Sequence, residues 1–365
     1  MKKLSFIFAL LLAAFSVSAL GFGAWSEESK TTKSIKQLDD GVFFMEFEGD
    51  YRLDDYLANG GGKSVDDLRN YITKSLKKGT WTCPKIKTMT DLKITLGDFG
   101  CASISARNTA ECGGMIFGRN YDWNDCAVMI IHTKPDNGYE SVSTCCLSHM
   151  GLDRNWKPAN KFPADAAALG LIYVPMDGMN EKGLYIADLM AGDREQTAQE
   201  RGNISVTTTD AIRLVLDKAA TVDEAIAILE NHDMHSVIGA AHHFAISDNS
   251  GKSVVVEWAD NKMYATETKV LTNHYTADSP KKDTAAESVL ENSKLRFGIL
   301  EETGETAQWS MNKESVRDAL KSVHASQYST SGEELTAWSA VFEPNMRKIT
   351  YYFRENYDKP IVVEF

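Results

Sequence analysis

The clearest pattern in the chain is alternation. From residue 101 onward, apolar and polar positions swap every second residue in short runs bounded by Gly, Asn and Asp, the mark of half-buried strands. "CASISARN" and "GGMIFGRNYDW" predict two arms of a hairpin around a polar turn at "TAEC". "AVMIIHTKP" and "YESVSTCCL" predict a second hairpin around "DNGY", and "GMNEKGLYIADL" predicts a turn entering a strand. "HHFAIS" and "KSVVVEW" flank the turn "DNSG", and "KMYATETKVLTNHY" begins with another strand. "AWSAVFEPNMRKITYYFRE" predicts a long hairpin and "PIVVEF" a last strand.

Helical spacing falls in blocks between these runs. Residues 209–218 and the stretch opened by Thr221 and Glu224 predict two helices. The second carries a capping-box signature, in which hydroxyl and carboxylate satisfy orphan amides. "TAAESVLENSKLRFGILEE" and "NKESVRDALKSVH" predict two more. Antiparallel strand runs with helices blocked between them indicate an α+β fold rather than a βαβ alternation.

The first hundred residues read differently. Lys2 and Lys3, the run "LSFIFALLLAAF" and Val17-Ser18-Ala19 have the charged, apolar and small-residue parts of a signal peptide over 1–19. The apolar run is too short for a confident membrane span, and no Cys follows it closely as a lipid anchor would need. Residues 21–40 are polar and rich in Ser, Thr and Lys, and are expected as a flexible leader. Residues 41–79 then carry an apolar strand-like run, a Gly60-Gly61-Gly62 break and a helix with Leu68, Ile72 and Leu76 on one face. This segment is expected to fold or to dock on something. The divisions expected are a signal peptide over 1–19, a prosegment over 20–100 and a catalytic domain over 101–365, giving a secreted, periplasmic or extracellular protein.

Composition is that of a globular chain: 365 residues, 43% hydrophobic and 25% charged. A net charge of −12 argues against nucleic acid, whose phosphates need a basic face. No basic amphipathic helix suggests an anionic membrane surface. The six cysteines contain no CxxC pair, so a zinc knuckle is not indicated. Cys83, Cys112, Cys126, Cys145 and Cys146 are expected as buried small side chains or disulfides, the last two pointing to opposite faces of a strand. His242 and His243 are adjacent on a strand and also point apart, so no metal and no cofactor is expected.

Cys101 stands apart from the other five. It follows Gly100 and heads an alternating strand, and no histidine is framed as its partner. A cut at Gly100–Cys101 would resolve this. The new α-amine titrates near pH 8 and lies on the same residue as the thiol, so one residue supplies nucleophile and base. The thiol could itself attack the Gly100 carbonyl, and glycine there tolerates strained backbone and close approach.

"C-A-S-I-S … G-G-M-I-F-G-R-N-Y-D-W", followed in order by "GMNEKGL", "HHFAISDNSGKSVVVE", "VLTNHY" and "NSKLRFGIL", resembles the choloylglycine hydrolase and acid ceramidase-like group of N-terminal nucleophile hydrolases. The likeness runs over nearly all of 101–365, and "EGDYRLDDYLANGG" resembles the upstream segment of the acid ceramidase-like branch. It implies a four-layer αββα sandwich of antiparallel sheets.

The same likeness implies roles. Cys101 is nucleophile and amine base, Arg119 stabilises the thiolate, and Asp122 holds the new ammonium. Asn273 donates to the oxyanion, and Arg296 positions Asp122 or the substrate. Asn120 and Trp123 are architectural, and Asn180 forms a turn with Gly183. Because Arg119 and Asp122 are three apart on one strand, a bend or bulge is expected.

Met190 stands where bile-salt hydrolases and penicillin V acylases carry an oxyanion Asn, and those bile-salt enzymes shed only their first Met. Both points favour the acid ceramidase-like side. The activity implied is hydrolysis of linear C–N bonds in N-acyl amides through a thioester, with the prosegment able to stay associated after cleavage and oligomerisation left open. Alternatives are bile-salt or penicillin V hydrolysis at the same site, acyl transfer to an amine, and a non-catalytic binding protein.

Overall fold

A computed structural model describes residues 27–77, 100–110, 114–162, 164–191, 196–237, 240–259, 262–276, 286–328 and 335–365. The expected signal peptide and Cys83 and Cys112 lie outside the described residues.

Two sheets face each other. The larger has nine strands: β1 Lys36–Asp39, β2 Val42–Gly49, β5 Val128–Pro135, β6 Ser141–Cys146, β7 Asp177–Asn180, β8 Tyr185–Met190, β11 His242–Ser247, β12 Ser253–Ala259 and β13 Lys262–Glu267, in that order across the sheet. The smaller runs through β14 Val270–Leu271, β3 Cys101–Asn108, β4 Met115–Trp123, β16 Leu335–Glu343, β17 Lys348–Phe353 and β18 Ile361–Glu364, with β15 Ser310–Met311 added beside β3. β9 Ile204–Thr207 and β10 His232–His235 form a small parallel pair.

The helices that matter are α1 Leu53–Ala58, α2 Val65–Lys77, α3 Thr208–Lys218, α4 Val222–Glu230, α5 Glu287–Thr306 and α6 Lys313–Lys321. Three apolar cores separate four layers. Ile212, Val215 and Leu216 of α3 pack with Ile186 and Phe244 outside the large sheet. Phe117, Tyr185, Ala187 and Trp338 fill the space between the sheets. Leu300, Val316 and Leu320 cover Ile104 and Ile116 outside the small sheet. This is the αββα sandwich.

Alternation dictates which side each residue joins. On β3, Ala102, Ile104 and Ala106 enter the helix-side core, whereas Cys101 enters the core between the sheets. Cys145 and Cys146 likewise divide between two cores, and both are free thiols.

Five features depart from the sequence reading. Pairing is not purely antiparallel: β2 runs parallel to β5 over the full length Val42–Gly49, and β15 runs parallel to β3. Strands β1 and β2, from the segment upstream of Cys101, thus complete one edge of the large sheet, and the stretch expected as a flexible leader instead forms a helix over 27–34 and strand β1, tied down by pairing with β2. "GMN" is not only turn; it ends strand β7, which pairs with β8.

The fourth difference concerns capping. The reciprocal box belongs to Thr207 and Asp210 at the start of α3. At α4, Thr221 accepts from the Glu224 amide, but the Glu224 carboxylate turns to the Ala220 amide. The fifth is the bulge, which lies in β16 rather than in β4. Thr336 pairs with Asp122 and Trp338 with Tyr121, leaving Ala337 as the extra residue. Asn180 behaves as expected, accepting from the Lys182 and Leu184 amides beside Gly183 at φ 81°.

Candidate active site

Cys101 sits at the first position of β3, opposite Tyr121 in the antiparallel register with β4. Arg119 and Asp122 therefore approach it from different sides. Arg119 shares the inter-sheet face with Tyr121, as its contacts with the large sheet show: Nη2 donates to the Asp188 carbonyl and Nε lies 3.6 Å from Asp177 Oδ2. Asp122 shares the helix side with Asn120, whose amide donates to the Leu320 carbonyl at 2.8 Å. The bulge at Ala337 serves both faces at once. It sets Thr336 Oγ1 to donate to Asp122 Oδ1 at 2.6 Å, while Trp338 stacks on Tyr121 with ring centroids 4.0 Å apart.

The Gly100–Cys101 junction is gripped on three atoms. The Gly100 carbonyl accepts from the Asp122 amide at 3.1 Å. The Cys101 amide donates to Asn273 Oδ1 at 2.7 Å. The Cys101 carbonyl accepts from Arg296 Nη1 at 2.8 Å. Arg296 also donates through Nη2 to Asn273 Oδ1 at 2.9 Å and through Nε to Asn292 Oδ1 at 2.7 Å, one turn back on α5. It is 2% exposed, so it belongs to the site and not to a solvated helix face. Asn273 follows β14 and is held by its own amide, which donates to Ser293 Oγ at 2.7 Å. Its Nδ2 donates to the Met190 carbonyl at 3.0 Å.

Burial sets the electrostatics. It raises the Cys101 thiol above its ordinary range, and the Arg119 cation works against that rise. Burial opposes the charge on Arg119 too, but Cys101 and Asp177 hold its pKa above the usual value. Burial lifts Asp122 to about 7, against the pull of Arg296, the Thr336 hydroxyl and Arg119. Asp122 Oδ2 and Arg119 Nη1 have no hydrogen-bond partner among the described residues. Two cations act on this carboxyl, Arg296 more strongly than Arg119.

Gly100 is enclosed as well. A β-carbon built on it would stand 2.6 Å from Asp122 Oδ2 and 3.0 Å from Arg296 Cζ. No larger residue fits without moving one of the two.

A small cavity opens beside the thiol. Tyr121, Trp123, Met176 and Met190 form its apolar wall; Asp122, His149, Asp188 and His242 supply polar groups. All five residues singled out from sequence, Cys101, Arg119, Asp122, Asn273 and Arg296, gather around Cys101, and two of them, Cys101 and Asp122, line this cavity. Sequence reasoning missed Thr336, Asp188 and Asp177. An Asp inside the otherwise apolar strand "YIADLM" was the available signal for Asp188. The two adjacent histidines part company. His243 holds Glu257 at 3.0 Å and the Thr272 carbonyl at 2.8 Å, while His242 turns to Asp188.

Two facing sheets between helical layers, with a cysteine at the lip of a strand on their inner face, define an N-terminal nucleophile hydrolase architecture. The chain belongs to the acyl-coenzyme A:6-aminopenicillanic acid acyl-transferase family, whose profile matches residues 164–358, more than half of its length.

Penicillin V acylase of Pectobacterium atrosepticum is 34% identical over 118 residues, a match covering 28% of this chain and 31% of that protein. The chain thus spans less than a third of the length of the curated relative it matches. Two solved structures of variants of the conjugated bile acid hydrolase from Clostridium perfringens share the fold. One has a TM-score of 0.50 at 16% identity, covering 73% of this chain and 92% of that one. The other has a TM-score of 0.51 at 16% identity, covering 72% and 92%.

Proposed function

We propose that this protein is a self-processing cysteine amidohydrolase, exported from the cell, that cleaves linear C–N bonds of N-acyl amides through a thioester on Cys101. The observation that carries the reading is the grip on the Gly100–Cys101 junction. Carbonyl, nitrogen and following carbonyl are each bound by a separate group, with Asp122 and Arg296 packed against Gly100.

The self-cut follows from this arrangement. The thiol attacks the Gly100 carbonyl, whose oxygen is polarised by the Asp122 amide. The bond from Gly100 to the Cys101 nitrogen breaks, and that nitrogen takes the proton the thiol gave up. Water then hydrolyses the Gly100 thioester, freeing the thiol and an α-amine. The amine stays beside Asn273 Oδ1, and the unpaired Oδ2 of Asp122 is free to accept from it.

Turnover repeats the same steps on a substrate. The amine takes the thiol proton and the thiolate, faced by Arg119, attacks the amide carbonyl. A primary amide has two N–H bonds; Asn273 gives one to Met190, and in this reading the other donates to the oxyanion. The ammonium then protonates the leaving nitrogen. Water, activated by the amine, releases the acid. The upstream piece, whose β2 lies within the large sheet, stays bound after the cut. An acyl-transferase reading keeps every step but the last, where an amine replaces water.

The test is direct. Intact mass and N-terminal sequencing should find a wild-type chain that begins at Cys101, and Cys101→Ala should remain uncut. The processed protein should release acid from N-acyl amino acids, penicillin V or conjugated bile salts. Full activity with an intact Gly100–Cys101 bond would overturn the proposal.

A further inference from the structure

Three polar groups in the Cys101 cavity, His149, Asp188 and His242, have no task in the steps above. His242, at the first position of β11, is 4% exposed and lines the cavity together with Cys101. Its Nδ1 lies 2.9 and 3.0 Å from the two carboxylate oxygens of Asp188. A carboxylate accepts and does not donate, so Nδ1 carries the hydrogen. In the neutral ring this leaves the lone pair on Nε2. Nε2 is buried and has no hydrogen-bond partner among the described residues.

A buried acceptor without a donor is costly, so a ring that lines the cavity with one nitrogen tied to Asp188 and the other unpaired calls for a donor from outside. The neighbouring walls, Tyr121, Trp123, Met176 and Met190, are mostly apolar. During turnover the acyl group is the part bonded to Cys101 Sγ, so it is the part that occupies the space beside the thiol.

We infer that His242, oriented by Asp188, is a specificity-determining residue that accepts a hydrogen bond from the acyl part of the substrate. The preferred substrate class is an N-acyl amide whose acyl group is mainly apolar and carries one hydroxyl or N–H. This rests on the reading of Cys101 as the acylated nucleophile.

The test compares N-acyl glycines of one chain length, with no hydroxyl or with one at carbon 2, 3 or 4 of the acyl group. In the wild type, one hydroxylated member should exceed the plain acyl compound at least tenfold in kcat/KM. His242→Phe should bring that ratio to within about twofold of unity, and Asp188→Asn, which loosens the tautomer, should lower it part-way. The ratio within each variant is the readout, so a general loss of activity does not imitate the effect. Self-cutting at Gly100 and the thermal midpoint report whether each variant has folded.

The matched free acids are also titrated calorimetrically into processed protein. Amide turnover with a ratio indifferent to His242 overturns this inference and leaves the amidohydrolase reading intact. Absent turnover, with a hydroxy acid still bound more tightly by wild type than by His242→Phe, does the reverse. A wild type that shows no preference for any hydroxylated acyl group, in turnover or in binding, overturns the inference.

Discussion

The amide nitrogen of Cys101 and Oδ1 of Asn273 lie 2.7 Å apart, across 172 residues of chain. Arg296 closes the triangle by donating to both residues, to the Cys101 carbonyl and to the same Asn273 oxygen. The nitrogen that would become the catalytic amine is thus already positioned before any cut, and the group that positions it is itself fixed by a buried guanidinium.

Replacing Arg296 by Lys should separate charge from geometry. A single ammonium cannot reproduce the fork that serves Cys101, Asn273 and Asn292. The expected result is a fall in kcat of about 10- to 100-fold, with a smaller change in KM. Steady-state kinetics on processed protein would check it, and a kcat near wild type would count against the positioning role.

Gly100→Ala should act on processing alone. The added carbon meets Asp122 Oδ2 at 2.6 Å and Arg296 Cζ at 3.0 Å, so the junction must shift before the thiol can attack. A time course of cleavage should slow by an order of magnitude or more. Once cut, the catalytic chain has the wild-type sequence, so activity per processed molecule should match the wild type.

The pH dependence of stability follows from Asp122. Its carboxyl is raised to about 7 by burial, against about 3.9 in an unfolded chain. A raised acid binds its proton more tightly in the fold than outside it. The stability this contributes is fully present below about pH 4 and is lost as pH rises to about 7, at a slope approaching roughly 1.4 kcal/mol per unit. Denaturant melts of uncut Cys101→Ala between pH 4 and 7 should show this loss, and adding Asp122→Asn should remove it. Equal slopes in the two proteins would refute the assignment.

The segment upstream of the cut should be inseparable from the fold. Phe43, Met45 and Phe47 of β2 lie in the core under the helices, and β2 pairs along its length with β5. Expression from residue 101 onward should give insoluble protein. In the full chain, Phe43→Ala should cost about 3–5 kcal/mol by urea unfolding. After processing, the two pieces should run together in gel filtration and separate only in denaturant.

Much of this was legible in the chain. Period-two runs bounded by turn residues located the hairpins β3–β4, β5–β6, β11–β12 and β16–β17, because strand alternation and turn chemistry are local properties. A cysteine after glycine at a strand start, without a framed histidine, pointed to Cys101. The ordered motifs pointed to Arg119, Asp122, Asn273 and Arg296. Their convergence could not be read from spacing, since Asn273 and Arg296 lie far downstream and reach the junction only through the placement of β14 and α5.

Other features were decided by the tertiary structure alone. A one-residue bulge at Ala337 belongs to the strand opposite Asp122, and no local pattern marks it. The parallel pairing of β2 with β5 depends on contacts between distant segments and not on the character of either strand. Asp188 and His242 are ordinary strand residues until adjacent strands bring carboxylate and ring together. The sequence by itself determined most of the elements, the proposed nucleophile and the kinds of groups around it, because these rest on local periodicity and intrinsic chemistry. Which faces those groups share, how far burial moves their protons and which ring nitrogen is left unpaired were decided by packing, because each depends on neighbours that only the folded chain supplies.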